Sequence, residues 1–146
     1  MKIKIGVSSC LLGVNCKYNG KSNYNEQIVA LQNKYDLIPI CPEVLGGLSI
    51  PRVPAEIRNN KVINENNIDV TKNYQEGAKK ALTILKENDV KIVIMKSKSP
   101  SCGYQKIYDG SFSHTLKEGN GIATDLFLKN GITILTENNF KDLLDL

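Results

Sequence analysis

The chain has 146 residues, of which 41% are hydrophobic and 23% charged, and this suits one globular domain with its own hydrophobic core. No apolar run is long enough for a transmembrane helix and the N-terminus lacks the apolar stretch of a signal peptide, so we expect a cytoplasmic protein without membrane partners. The net charge of +4 is mild and spread along the chain, which fits an anionic small ligand and disfavours a dedicated nucleic-acid-binding domain.

Four short runs rich in β-branched residues predict strands, and helical periodicity fills the intervals between them. In chain order, the sequence predicts strands at Ile3–Ser8, 36–40, 91–95 and 132–136, and helices at 25–35, 70–87, Ile122–Lys129 and 138–146. Because strands alternate with helices, residues 1–146 are predicted to form one α/β domain. We expect a small Rossmann-like parallel sheet flanked by helices, with right-handed crossovers and the strand order 2-1-3-4.

The interval 42–67 is the least regular part of the chain. It contains three prolines and the pair Gly46 and Gly47, which indicates a long shaped loop of the kind that is usually functional. A small hairpin is expected at 61–69. Further on, the residues YDGSF at 108–112 carry an Asp-Gly turn signal between aromatic side chains.

Three of the four cysteines follow predicted strands. Cys10 comes after the first strand, Cys41 after the second, and Cys102 lies in the loop after the third. The carboxyl ends of parallel strands meet at one edge of the sheet, where ligands bind at the point of reversed strand order. With no export signal, metal or redox chemistry is a better interpretation of these thiols than disulfides.

Zinc and a [4Fe–4S] cluster are both compatible with several cysteine thiolates. The sequence lacks the C-x2-C pairs of zinc ribbons and the C-x2-C-x2-C run of ferredoxins. Three widely spaced ligands favour a catalytic cluster with one iron open to substrate. A metal- or redox-sensing module, or a zinc-stabilised binding domain without catalysis, is the alternative.

Polar residues near these cysteines supply further candidates for the site. Glu43 follows Cys41 by two residues and can act as acid or base; the alternatives are a solvated loop glutamate or a glutamate in the first turn of a helix after Pro42. Arg52 can bind a phosphate or carboxylate in a bidentate manner, or form a surface salt bridge. Lys98, in the segment SKSPSCG, belongs to a loop that resembles an anion site, and Ser9 is the remaining candidate for substrate binding.

The stretches SSCLLGVNCKYNG, CPEVLGGLSIPRVPAE and KSKSPSCG, followed by IYDGSF, resemble the hallmark blocks of the thiouracil desulfidase (TudS) family. The resemblance covers nearly the whole chain, with the blocks in order. It implies an α/β domain that holds an oxygen-sensitive [4Fe–4S] cluster through three cysteines. The fourth iron would take the sulfur of a thiolated pyrimidine, water would replace that sulfur on the ring, and hydrogen sulfide would leave without net redox change.

The resemblance also implies roles for individual residues. The cluster ligands, each in its matching block, would be Cys10, Cys41 and Cys102. Cys16, the second cysteine of the first block, would support the cluster or assist catalysis. Glu43 would be the acid–base residue, and Ser101 would contact the substrate and take part in catalysis.

Two differences from relatives bear on the substrate. Lys17 stands where the family more often has arginine, which keeps the charge but loses the planar fork. Some relatives carry an extra C-terminal domain associated with transfer RNA, and nothing similar follows the fourth predicted strand. We therefore expect a small thiolated nucleobase or nucleotide as substrate, with Arg52, Lys96 and Lys98 near its phosphate.

Overall fold

The computed structural model describes residues 2–141. Its elements run in chain order as β1 (Ile3–Ser8), α1 (Glu26–Val29), β2 (Tyr35–Ile40), α2 (Pro42–Leu45), β3 (Ala55–Arg58), β4 (Lys61–Asn64), α3 (Thr71–Glu87), β5 (Ile92–Met95), β6 (Lys106–Tyr108), β7 (Leu116–Glu118), α4 (Ile122–Lys129) and β8 (Thr133–Thr136). Two short 3₁₀ helices span Ser9–Leu12 and Ala30–Asn33. Within residues 2–141, no helix combines the length and the hydrophobicity that crossing a membrane requires.

The central sheet has four parallel strands in the order β2-β1-β5-β8. This confirms the order 2-1-3-4 expected from the alternating pattern. Side chains alternate across the sheet: Val93 and Met95 pack with α3 and α4, while Ile94 packs with α1 on the opposite face. Pro39, which has no N–H to donate, lies in the edge strand β2, where a missing donor is tolerated.

The long helices agree with their predictions, and the first predicted helix was too long. Instead of one helix over 25–35, the chain makes the single turn of α1, then a 3₁₀ turn, and enters β2 at Tyr35. The Asn25 side chain caps α1 by accepting from the backbone N–H groups of Gln27 and Ile28. Tyr35 pairs with Ile3 in the sheet, which requires extended backbone at that position. Most of the predicted last helix, 138–146, lies outside the described residues.

Two hairpins stand beside the sheet, and the sequence indicated each only in part. β3 pairs with β4 through a turn at Asn59 and Asn60, which both have the positive φ that a tight hairpin turn needs. The small hairpin expected at 61–69 is present as a turn at 64–67 with an antiparallel bridge between Ile63 and Asp69. The second hairpin joins β6 and β7, and its loop 109–115 contains most of the predicted YDGSF turn.

Close backbone contact fixes α2 against α3. A Cβ atom on Gly77 would lie 1.8 Å from the carbonyl oxygen of Pro42, and one on Gly46 would lie 2.0 Å from that of Asn73. Asn73 also donates from its amide to the Gly46 carbonyl at 2.9 Å. These contacts require glycine at both positions. They hold Glu43, in the first turn of α2, against the start of α3.

Candidate active site

Three loops meet at the carboxyl ends of β1, β2 and β5 and line a cavity of about 470 Å³. They supply the three cysteines expected at this edge, and Cys16 joins them from the segment after the first 3₁₀ helix. The cysteines that line the cavity are Cys10, Cys16, Cys41 and Cys102. None of the four forms a disulfide in the described structure.

The four thiols interact with one another. Cys16 is hydrogen-bonded to the side chains of both Cys10 and Cys41. The amide of Asn23 donates to the Cys10 sulfur at 3.4 Å. Cys102 is the most enclosed cluster-ligand candidate, with 7% of its surface exposed.

These contacts separate the acidities of the thiols. The hydrogen bond from Cys16 is the main cause that lowers the pKa of Cys10 to about 7, helped by Asn23 and against the effect of burial. The same donor lowers the pKa of Cys41. The pKa of Cys16 itself is raised, because hydrogen bonds to the side chains of Cys10 and Cys41 favour its protonated form. Burial raises the pKa of Cys102 to about 12.

The donor set suits a multinuclear cluster better than a single metal ion. Within residues 2–141, no three His, Cys, Asp or Glu side chains are arranged to hold one ion. A [4Fe–4S] cluster makes a different demand, because each cysteine binds a different iron. Cysteine thiolates from three loops around one cavity meet that demand.

A buried ion pair lies beside the thiols. Arg52 donates to one carboxylate oxygen of Glu43 at 2.9 Å, and the hydroxyl of Tyr74 donates to the other at 2.5 Å. The Arg52 guanidinium also donates to the carbonyl oxygens of Cys16 at 2.9 Å and Ser49 at 3.1 Å. With only 6% of its side chain exposed, Arg52 is engaged by the protein. Arg52 also lines the cavity, and its expected contact with a substrate phosphate stays a prediction.

The remaining predicted residues fall into two groups. Ser9 and Lys98 line the cavity, and their substrate-binding role stays a prediction. Ser101 does not line it: this residue is 1% exposed, and its hydroxyl accepts from the Cys102 thiol at 3.8 Å. Its carbonyl accepts from the first backbone N–H groups of α4, so Ser101 supports the loop. Lys96 lines the cavity but is paired with Glu137 at 3.0 Å.

The β6–β7 hairpin supplies an aromatic wall that the sequence did not place in the site. Tyr108, Phe112 and His114 line the cavity, and the rings of Tyr108 and His114 pack edge to face with centroids 6.3 Å apart. The carboxylate of Glu56, on β3, accepts from the backbone N–H groups of Gly110 and Phe112. The wall is therefore held by the neighbouring hairpin.

Residues 5–139 match the family model described as 2-thiouracil desulfurase. The chain belongs to this family. It is 40% identical to the uncharacterized protein YbbK of Bacillus subtilis strain 168, over 94% of this chain and 98% of that protein. It is also similar to the solved structure of a [4Fe-4S]-dependent thiouracil desulfidase, TudS, with a TM-score of 0.92, 36% identity, and coverage of 98% of this chain and 96% of that one.

The sequence analysis of this 2-thiouracil desulfurase family member did not assign Tyr74 to the site, although Tyr74 lines the cavity. Its helical spacing assigned it to the apolar face of α3, and it is indeed buried. A buried tyrosine hydroxyl nevertheless needs a partner, and this requirement was the signal available in the sequence. The partner, Glu43, is 31 residues away in the chain, so no local pattern links the two.

The thiol acidities predict a pH-dependent reactivity in the metal-free protein. Alkylation of Cys10 by iodoacetamide should rise with pH through about 7 and then level off, because the thiolate is the nucleophile. In Cys16→Ala the rise should move to higher pH, since the main stabilising donor is gone. Peptide mass spectrometry measures the rates, with Cys16→Ser, which retains a donor, as the matched control. An unchanged profile in Cys16→Ala would contradict this assignment.

Proposed function

We propose that this protein binds a [4Fe–4S] cluster through Cys10, Cys41 and Cys102 and desulfurates a thiolated pyrimidine. Sulfur on the ring is replaced by oxygen from water, and hydrogen sulfide is released. The observation that carries the proposal is the convergence of the three cysteines on one cavity in a member of the 2-thiouracil desulfurase family. The bound cluster supplies a thiophilic Lewis acid that weakens the carbon–sulfur bond.

The chain's own residues supply proton transfer and orientation. Glu43 lines the cavity with its carboxylate held from two sides, and it accepts a proton from the attacking water. Cys16 lies beside two of the proposed ligands, and its thiol supplies a proton to the leaving sulfide. Ser9 is placed to hydrogen-bond the pyrimidine, and Ser101 contributes by holding the Cys102 loop.

We also propose that the protein is cytoplasmic, with its cysteines in the reduced state. Unpaired cysteines and an oxygen-sensitive cluster are suited to the cytoplasm, where thiols stay reduced. Anaerobic purification followed by a visible absorption spectrum tests the cofactor directly. A brown protein that releases sulfide from thiouracil supports the proposal. A colourless, zinc-loaded protein supports the binding or sensing module instead.

Single cysteine replacements should separate ligands from supporting residues. Alanine at Cys10, Cys41 or Cys102 should abolish cluster binding, since each removes one of three protein ligands. Cys16→Ala should keep iron near the wild-type level. Iron and acid-labile sulfide per chain, measured after anaerobic reconstitution, give the result. Equal iron loss in all four variants would indicate a four-thiolate site and contradict the three-ligand assignment.

Glu43→Gln should retain the cluster but slow turnover by roughly 10²–10⁴-fold, the usual loss for a general acid–base group. The amide keeps the shape of the side chain and cannot take the proton. Sulfide release per reconstituted cluster measures the effect. Glu87→Gln, at the exposed end of α3, is the matched control and should behave as wild type. Activity of Glu43→Gln within about twofold of wild type would remove the acid–base role.

A nucleotide should be preferred over its uncharged nucleoside. Lys17 and Lys98 line the cavity without an ion pair within residues 2–141, so they are available to a phosphate. A charge-assisted contact is worth ~1.5–3 kcal/mol, so kcat/KM for thiouridine monophosphate should exceed that for thiouridine by roughly tenfold or more. Lys98→Ala should reduce this ratio, whereas Lys80→Ala, on the exposed face of α3, should not. Equal turnover of base, nucleoside and nucleotide would argue against a phosphate subsite.

A further inference from the structure

Tyr74 is a buried polar side chain in direct contact with the proposed acid–base residue. It lies in the first turns of α3 with 3% of its surface exposed, and it also borders the cavity. Its hydroxyl donates to Glu43. Burial and the negative charge of Glu43 hold the pKa of Tyr74 well above its usual value of 10, so the hydroxyl remains a donor.

The two donors on Glu43 come from different parts of the fold. Tyr74 binds Oε1 from α3, and Arg52 binds Oε2 from the segment between α2 and β3. The terminal torsion of a glutamate is broad and roughly two-fold, so one donor alone leaves the carboxylate plane poorly defined. A donor on each oxygen fixes that plane, and with it the direction of the remaining lone pairs.

The backbone beneath Glu43 is held by the same helix. The Gly46 and Gly77 contacts and the Asn73 hydrogen bond attach α2 to α3 within one turn of Tyr74. Helix α3 therefore positions both the backbone and the carboxylate of Glu43. Catalytic rates are sensitive to misplacement of a reacting group by about 1 Å. Fixing both the backbone and the carboxylate of Glu43 is therefore expected to affect the rate.

We propose that Tyr74 is a positioning residue for the desulfuration reaction, which orients the Glu43 carboxylate toward the thiopyrimidine and acts only through Glu43. This inference rests on the function proposed above for Glu43. It assigns to α3 the positioning of Glu43 in addition to packing on the sheet.

Tyr74→Phe tests the hydroxyl while it keeps the buried ring. We expect kcat for thiouracil to fall about tenfold or more, the loss typical of a hydrogen bond to a charged group. KM should stay within about twofold, and iron content should equal that of wild type. Thr83→Val, which removes an exposed hydroxyl on the same helix, is the matched control and should retain full activity.

A double variant distinguishes positioning from a general structural effect. If Tyr74 acts through Glu43, Glu43→Gln combined with Tyr74→Phe should turn over as slowly as Glu43→Gln alone. An additional loss of about tenfold in the double variant would overturn the inference. Full activity of Tyr74→Phe would also overturn it.

A crystal structure gives a readout that does not depend on turnover. In metal-free Tyr74→Phe, the Glu43 carboxylate should be rotated or spread over two orientations while the α2 backbone stays in place. An unchanged carboxylate would overturn the inference. If wild-type protein with a full cluster releases no sulfide from thiouracil, the proposed function is refuted instead. The crystal structure of Tyr74→Phe would then still show whether Tyr74 orients the Glu43 carboxylate.

Discussion

The parallel pairing of β1 with both β2 and β5 is the constraint on which the site depends. Because the three strands run in the same direction, their carboxyl ends open at one edge, and the loops that follow bring Cys10, Cys41 and Cys102 to a shared cavity. Cysteines separated by 31 and 61 positions thus become neighbours without any local sequence motif. Reversal of any one of these strands would send its cysteine to the far end of the sheet.

The buried Glu43–Arg52 pair connects the loops that the strands place. Its guanidinium reaches Glu43 on α2, the carbonyl of Cys16 after β1, and the carbonyl of Ser49. Pairing with Glu43 balances the charge of Arg52, whose side chain is only 6% exposed. The pair is therefore part of the architecture of the site, since it links α2 to the segments that contain Cys16 and Ser49.

Sequence patterns identified the parts of the fold that are specified locally. Runs of β-branched residues predicted the strands of the sheet, and helical periodicity predicted α3 and α4. The alternation of strands and helices predicted which edge of the sheet holds the cysteines. The failures involve contacts between distant segments. The helix at 25–35 was overextended because Tyr35 pairs in the sheet with Ile3. The partner of Tyr74 depends on how α2 docks on α3, which periodicity does not encode.

The two hairpins form a part of the cavity that is held separately from the cysteines. The proposed cluster ligands and Glu43 lie on loops anchored to the sheet and to α3, whereas the aromatic wall of the cavity belongs to the β6–β7 hairpin. Glu56 fixes that wall through the N–H groups of its turn, where Gly110 has a φ of +95° and a Cβ would lie 2.6 Å from that of Arg58. The shape of the wall is therefore set by turn geometry and can change without moving a cysteine. The cysteines at the sheet edge and the rings of the β6–β7 hairpin therefore line the same cavity from separately held parts of the fold.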